Sequence, residues 1–377
     1  MKYIDEFRNR KLVKKTAERI GTMMPTHEIN IMEVCGTHTQ AFFRFGLDKI
    51  LPNNLKLISG PGCPVCVSTQ DYIDTAIKLT ENKDTIVLTF GDMLGVPGTR
   101  STLEKERPKF GNVRVAYSAL DSLKIARANP GKKIIFLAVG FETTAPTIAL
   151  SIMAAKKEKL KNLFFLSSLK LIPPAMDFLV RDKKLNLNGF LCPGHVSAII
   201  GTEPYEFIAK KYKIGCCIAG FEPLDILEGI YLLLQQAIEK KPSVANQYAR
   251  VVTKNGNIKA KNIMQRVFAV SDASWRGLGG IPKSGLKIKK EFSQFDAEKV
   301  FSFKRATPAC RSGRGNACLP VRQGQRATKC RCGDILKGLL SPPECQLFAK
   351  ACNPDNPIGP CMVSSEGACN AYYKYRK

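Results

Sequence analysis

The sequence predicts an α/β protein in which two Rossmann-like domains, each a parallel sheet flanked by helices, precede a small cysteine-rich domain. Short apolar runs alternate with segments of helical periodicity, the pattern of open parallel sheets covered by helices. Residues 133–139 form a nearly uninterrupted apolar run, as expected for a strand in the middle of such a sheet. A chain of 377 residues is also too long for a single hydrophobic core.

The first α/β domain is predicted to cover residues 1–128. Its strands are predicted at residues 29–34, 55–58, 85–90 and 113–117, and its helices at residues 4–20, 41–45, 68–79 and 120–128. Pro130 and Gly131 then interrupt the alternation and indicate a domain boundary.

The second α/β domain is predicted to cover residues 129–242, where the alternation starts again. Its strands are predicted at residues 133–139, 163–166, 189–191 and 216–219, and its helices at residues 147–155 and 224–238. After residue 242 the sequence becomes rich in glycine and then in cysteine, so residues 243–377 are assigned to a third domain.

A Cys-x-x-Cys motif, Cys63 to Cys66, lies on a turn rich in glycine and proline between a predicted strand and a predicted helix. Cys66 falls close to the start of that helix, where the partial positive charge favours the thiolate form. Two sulfurs on a stiff turn suit soft-metal binding or disulfide chemistry, whereas two buried, inert thiols are the simpler alternative.

Cys35 and His38 lie three residues apart where the first predicted strand ends. The imidazole could accept the proton of the thiol or form a hydrogen bond with a metal ligand. A half-buried cysteine beside a helix-capping histidine is the alternative.

The unusual loops of this chain follow the C-terminal ends of predicted strands, where open parallel sheets form their ligand crevices. The side chains brought toward common crevices are Cys35, His38, Cys63, Cys66, Asp92, Glu142, His195 and Glu222. For each acid taken alone, a helix N-cap is the simpler interpretation. Cys192, Cys216 and Cys217 lie in apolar runs and are expected to be buried.

The net charge of +26 is concentrated after residue 245, where the sequence contains 24 Lys or Arg residues but only 8 Asp or Glu residues. Such a surface could attract an acidic partner, but no aromatic-interleaved basic stretch or zinc-finger spacing indicates nucleic-acid binding. Residues 305–331, which include Cys310 and Cys318, are expected to form an exposed basic loop.

No apolar run approaches the ~20 residues of a membrane span, and no apolar stretch follows the charged N-terminus as in a signal peptide. A cytoplasmic protein without a membrane role is therefore expected. In that compartment 14 cysteines favour metal or redox chemistry over a disulfide framework.

The C-terminal region holds many thiols and little apolar material for a core of its own. Six of its cysteines are Cys330, Cys332, Cys345, Cys352, Cys361 and Cys369. A metal centre would supply the missing cross-link, and thiolates without a nearby histidine suit an iron–sulfur cluster or a structural zinc. The spacing is not that of a zinc ribbon, so a four-iron cluster is favoured.

Motifs spread along nearly the whole chain resemble one known family. They are Cys35-Gly-Thr-His38, Gly60-Pro-Gly-Cys63-Pro-Val-Cys66, Gly140-Phe-Glu-Thr-Thr-Ala-Pro146, Pro193-Gly-His195 and Pro357-Ile-Gly-Pro-Cys-Met-Val-Ser-Ser-Glu-Gly-Ala-Cys369. Together they resemble the HypD family, assembly factors for [NiFe]-hydrogenases. The resemblance implies two α/β domains and a third domain with a [4Fe-4S] cluster.

The resemblance also implies roles for individual residues. The cluster ligands implied by the family spacing are Cys330, Cys345, Cys352 and Cys369. Cys332 and Cys361 are then left as a redox pair, similar to the thiols beside the cluster of ferredoxin:thioredoxin reductase. Iron binding falls to Cys35, Cys63 and Cys66, and His38, Glu142 and His195 complete the expected catalytic residues.

By this resemblance the protein is a maturation scaffold with redox activity rather than a conventional turnover enzyme. With a small HypC-type chaperone it would carry Fe(II) while the metal gains two cyanides and one carbon monoxide, as Fe(CN)2CO. Cyanide would come from HypE, and the hydrogenase large subunit would be served indirectly. The competing hypothesis is an iron–sulfur-linked thiol–disulfide oxidoreductase, which uses the same cysteines but binds no further iron.

Overall fold

The computed structural model describes residues 2, 4–182, 184–302 and 329–376. The strands are β1 (Ile29–Glu33), β2 (Leu55–Ser59), β3 (Thr85–Thr89), β4 (Val113–Val115), β5 (Lys133–Gly140), β6 (Leu163–Leu169), β7 (Gly189–Pro193), β8 (Gly215–Ala219), β9 (Val244–Asn246), β10 (Phe268–Trp275) and β11 (Gly279–Ile288). The predicted basic loop, with Cys310 and Cys318, lies almost entirely outside the described residues.

The helices alternate with these strands along most of the chain. They are α1 (Arg10–Met23), α2 (Gly36–Arg44), α3 (Gln70–Thr80), α4 (Leu103–Phe110), α5 (Asp121–Ala128), α6 (Ala145–Lys157), α7 (Ile172–Val180), α8 (Gly194–Ile200), α9 (Glu206–Tyr212), α10 (Pro223–Glu239), α11 (Ile258–Val267), α12 (Ala297–Val300), α13 (Cys332–Leu336), α14 (Pro360–Val363) and α15 (Ala368–Tyr375). Within the described ranges, none of them is both long enough and apolar enough to cross a bilayer.

Two parallel sheets confirm the predicted α/β class. Sheet A has the strand order β2-β1-β7-β8-β9, and sheet B has the order β4-β3-β5-β6. All pairs within both sheets are parallel. The remaining strands, β10 and β11, form an antiparallel hairpin.

The predicted boundary at residues 128/129 assumes that each sheet is built from consecutive strands. The observed sheets do not follow this order. The chain starts sheet A with β1 and β2, builds all of sheet B, and then returns to complete sheet A with β7 to β9. Pro130 and Gly131 connect α5 to β5 inside sheet B, because β3 and β5 are neighbours. A short apolar run indicates that a strand is buried but not which strand it pairs with. The sequence pattern therefore could not show that the chain leaves sheet A and later returns to it.

The central core joins the two sheets to the cysteine-rich region. It combines side chains from one face of sheet A, such as Phe190, with others from sheet B, such as Ile135, and with Cys345 and Met362. The outer face of sheet A packs on α1, α2 and α10. The C-terminal helix α15 contacts α2, and the ring centroids of Phe43 and Tyr372 lie 4.4 Å apart. The cysteine-rich region is therefore packed against both predicted α/β regions.

Candidate functional site

The two cysteine loops predicted from the sequence meet at the C-terminal edge of sheet A. Because β1 and β2 are parallel neighbours with Glu33 opposite Ser59, the loops that follow them leave the sheet side by side. The Gly36 amide donates to the Gly62 carbonyl at 3.0 Å, and the Gly60 amide donates to the Glu33 carbonyl at 2.8 Å. The backbone therefore fixes the Cys35 loop directly against the Cys63 loop.

Gly62 is required by this close approach, because a Cβ atom there would lie 2.1 Å from the backbone nitrogen of Cys35. We expect Gly62→Ala to lower the free energy of unfolding by about 3 kcal/mol, since backbone must move to admit the methyl group. Gly131→Ala is the matched control, because a Cβ there would meet nothing within 4 Å. Urea denaturation of both variants checks the prediction, and equal midpoints would contradict it.

Cys35 is buried and is the N-cap residue of α2. Its Sγ lies 3.9 Å from Nδ1 of His195, which follows β7, the other neighbour of β1. Burial raises the pKa of the Cys35 thiol, while the His38 amide lowers that pKa. A thiol between a helix N-terminus and an imidazole can lose its proton when a soft metal ion binds the sulfur.

His38 is buried and does not cap a helix. Its Nε2 lies 2.9 Å from the Gly220 carbonyl oxygen, which assigns the proton to Nε2. Nδ1 has no hydrogen-bond partner among the described residues. Burial lowers the pKa of both His38 and His195 to about 4, so both rings are neutral at neutral pH. Phe221 lies beside both, with ring centroids 4.8 Å from His38 and 5.2 Å from His195.

The Sγ atoms of Cys63 and Cys66 lie 2.7 Å apart in the buried turn before α3. The expected activation of Cys66 by a helix N-terminus is wrong. The helix begins only at Gln70, and burial together with the neighbouring Cys361 and Cys63 raises the pKa of Cys66. The short distance between the two sulfurs suits metal chelation or disulfide exchange, whereas the raised pKa of Cys66 disfavours a free thiolate.

A run of sulfur atoms connects this turn to the C-terminal cysteines. The side chain of Cys361 interacts with those of both Cys66 and Cys332, and Cys332 also interacts with Cys330. The Cys66 thiol lies 3.8 Å from the carbonyl oxygen of Pro360, the residue before Cys361. Thiols from distant parts of the chain are therefore within contact of one another.

All six C-terminal cysteines named from the sequence line one small cavity. The other residues around it are Ile335, Leu347, Phe348, Gly359 and Met362. Sulfur donors in an apolar shell without carboxylates or imidazoles fit an iron–sulfur cluster. In the described ranges, no three His, Cys, Asp or Glu side chains are grouped as a metal site, so the cluster stays a prediction.

Arg276 is a buried cation beside these thiols that the sequence analysis did not identify. Its amide donates to the Val67 carbonyl at 2.9 Å, and its Nη1 donates to the Pro97 carbonyl at 2.8 Å. Burial lowers the pKa of Arg276, whereas nearby Cys332 and Cys330 raise it. A guanidinium here would offset negative charge on the sulfurs. An arginine within the glycine-rich stretch after Trp275 was the available signal.

The predicted acidic residues separate in the structure. Glu222 is the N-cap of α10 and forms an ion pair with Arg8, so the simpler capping interpretation describes it. Asp92 accepts a hydrogen bond from the Ser364 hydroxyl at 3.2 Å. Glu142 lines another cavity, around which none of the predicted site cysteines lies.

Two other acids, buried Glu33 and half-buried Glu366, lie near Cys35 and were missed. Glu33 accepts a hydrogen bond from Thr39, and burial raises its pKa to about 8. Glu366 accepts a hydrogen bond from the Thr37 hydroxyl at 2.7 Å. Glu33 belongs to a strand pattern in which apolar and polar residues alternate, where an acid is easily taken for a solvent-facing residue.

Comparisons with known proteins identify the family of the chain. The family model described as "HypD: Hydrogenase formation hypA family" matches residues 11–376. The chain is 42% identical to "Hydrogenase maturation factor HypD" of Azotobacter vinelandii, over all of this chain and 97% of the relative. It is 41% identical to the Escherichia coli (strain K12) protein of the same name, over 100% of this chain and 99% of the relative. A Cupriavidus necator relative, also of that name, is 40% identical over 100% and 97% of the two chains. The chain therefore belongs to the HypD family of hydrogenase maturation factors.

Proposed function

We propose that this protein is the scaffold on which the Fe(CN)2CO group of [NiFe]-hydrogenases is assembled. It holds the iron together with a HypC-type chaperone, accepts cyanide from HypE, and serves the hydrogenase large subunit indirectly. The observation that carries the proposal is the meeting of Cys35, the Cys63/Cys66 pair and His195 at one edge of sheet A. Family membership supports a role in hydrogenase maturation.

The iron atom is the substrate of this site, and its ligands explain the choice of donors. Cyanide and carbon monoxide are strong-field ligands that favour low-spin ferrous iron, and thiolates are suitable soft donors for such an ion. Cys35 cannot form a local disulfide as Cys63 can with Cys66, so we assign iron holding to Cys35. The pair contributes either further ligation or redox change.

The neutral histidines position groups around that sulfur. His195 is close enough to Cys35 to accept the thiol proton when iron binds. His38 donates from Nε2 to the Gly220 carbonyl, which leaves the lone pair of Nδ1 available to a hydrogen-bond donor. Both histidines orient groups around the iron site, and neither is a ligand of the C-terminal cluster.

We assign the [4Fe-4S] ligands to Cys330, Cys345, Cys352 and Cys369, which all line the C-terminal cavity. When bound there, the cluster supplies single electrons. The positive charge of Arg276 and the apolar lining influence the potential at which electrons are accepted or given.

Cys332 and Cys361 form the pair that returns the Cys63–Cys66 disulfide to dithiol. The Cys361 thiolate attacks Sγ of Cys66, which forms a Cys361–Cys66 bond and releases Cys63 as a thiolate that takes up a proton. Cys332, after losing its proton, attacks Cys361, forms the Cys332–Cys361 disulfide and releases Cys66. Two electrons pass from one pair to the other, and the interaction of Cys361 with both Cys66 and Cys332 supports this order.

Infrared spectroscopy of the anaerobically purified complex with the chaperone tests the proposal. Cyanide and carbonyl stretching bands are expected, together with more than four irons per chain. A complex that is active in maturation but lacks these bands would overturn the scaffold assignment.

We expect His38→Ala to lower hydrogenase maturation by about tenfold or more, the usual cost of losing a group that orients metal ligands. The absorption spectrum of the cluster should not change, because His38 does not line the cavity of the cysteines. Maturation is measured as hydrogenase activity in cells that lack their own copy of this protein.

Two further variants separate the imidazole from simple packing. His38→Gln keeps a donor toward Gly220 but removes the Nδ1 lone pair, so it should be as defective as His38→Ala. His27→Ala, at an exposed histidine, is the control and should mature hydrogenase normally. Full maturation by His38→Gln would limit His38 to a structural role.

The run of sulfur atoms also favours a second candidate, a thiol–disulfide oxidoreductase that draws electrons from the cluster. That function needs a protein disulfide as substrate and no iron beyond the cluster. Iron counting separates the two functions, since four irons or fewer in the chaperone complex would favour the oxidoreductase.

A further inference from the structure

Glu142 lies at a cavity that the proposed chemistry does not use. The cavity has a volume of about 270 Å³, close to the lower limit of ~300 Å³ for typical small-molecule pockets. Its walls come from α7, the end of α8, α11 and the β10–β11 hairpin, and they are mostly aliphatic or proline. They include Leu171, Pro173, Pro174, Ile200, Met264 and Leu286.

The start of α7 satisfies only half of the Glu142 carboxylate. Oε1 accepts a hydrogen bond from the Ile172 amide at 3.0 Å. A helix N-terminus ordinarily offers further free N–H groups to such a carboxylate, but the next residues are Pro173 and Pro174, which have none. Oε2 accordingly has no hydrogen-bond partner among the described residues, although the side chain is only 2% exposed.

The charge of this carboxylate is also uncompensated by the described part of the chain. Burial raises the pKa of Glu142 to about 7, and only the backbone amides of Glu142 and Ile172 act in the opposite direction. Lys261 lines the same cavity, but its Nζ donates to the Asn255 carbonyl at 3.0 Å. A buried acceptor without a donor or counter-charge favours a ligand that brings both.

We propose that this cavity binds the cationic end of an alkylamine. The ammonium group donates to Oε2 of Glu142, and the methylene groups pack against Pro173, Pro174 and the aliphatic wall. The cation could belong to a free amine or to a lysine side chain of a partner protein, since both present the same chemistry. The inference does not depend on iron or on the C-terminal cluster.

Titration of the full-length protein with n-butylammonium chloride, followed by ligand-detected NMR, tests the proposal at constant ionic strength. Saturable binding is expected, with n-butanol as the neutral, nearly isosteric control at least tenfold weaker. Glu142→Gln should bind n-butylammonium at least tenfold more weakly, while it can still accept the hydrogen bond from Ile172. Equal affinity of the two compounds, or of the two proteins, would overturn the proposal, as would the absence of saturable binding.

A second variant keeps the test decisive if Glu142→Gln does not fold. Val270 lines the cavity and is 59% exposed, so Val270→Trp fills the opening without changing the core. It should abolish binding of n-butylammonium, and unchanged binding would place the amine elsewhere and overturn the proposal. A lysine with both backbone ends blocked distinguishes the sources. Competition with n-butylammonium supports a partner lysine, and failure to compete supports a free amine.

Discussion

Cys345→Ala and Cys352→Ala are each expected to remove the iron–sulfur absorption of the purified protein and to reduce its iron content to near zero. Both sulfurs line the cavity formed by the turns and short helices of the C-terminal region. Each is assigned as one ligand of the cluster. The proposed cluster would cross-link this region, so its loss should remove the stability that metal binding contributes. A ligand present at a thousand times its dissociation constant raises the free energy of unfolding by about 4 kcal/mol. The variants should lose at least this much stability.

Anaerobic absorption spectra, iron analysis and urea denaturation measure these effects. Cys217→Ala is the matched control, because it removes a buried thiol of sheet A that does not line the cavity. It should keep wild-type colour and iron while losing only the packing of one sulfur. Wild-type iron content in both Cys345→Ala and Cys352→Ala would show that these residues are not cluster ligands.

The individual strands could be predicted because their signals are local. Residues 55–58 and 85–90 were predicted as strands and correspond to Leu55–Ser59 and Thr85–Thr89. Buried Cys192, Cys216 and Cys217 were also predicted correctly, since an apolar run leaves little choice of environment. The hairpin formed by β10 and β11 was not predicted, because burial does not alternate regularly along either strand and the turn is glycine-rich.

The approach of the Cys35 and Cys63 loops followed from a general property of parallel sheets, whose loops at one edge share a crevice. The contact between Cys66 and Cys361 could not be predicted in that way. It depends on how the C-terminal region packs into the central core, and no local periodicity encodes such packing. Arg276 was missed for the same reason, since its role arises from the thiols that surround it.

Cys35→Ala is expected to eliminate the infrared cyanide and carbonyl bands of the complex with the chaperone, while the absorption of the C-terminal cluster is retained. Cys35 is the site thiol that has an imidazole at 3.9 Å and no cysteine three residues away with which to form a local disulfide. The cluster should survive because Cys35 does not line the C-terminal cavity. Hydrogenase maturation should fall below detection, since no other assigned residue provides the anchoring thiolate.

Two comparisons make this experiment specific for the sulfur. Cys35→Ser keeps the N-cap position and nearly the same size but replaces a soft donor with a hard one, so it should lose the bands as completely as Cys35→Ala. Cys63→Ala should block maturation with the cluster intact, yet it can retain part of the bound iron because Cys35 remains. If Cys35→Ala, purified with its chaperone, shows the bands at wild-type strength, the iron is held elsewhere, and the Cys63/Cys66 pair becomes the anchor.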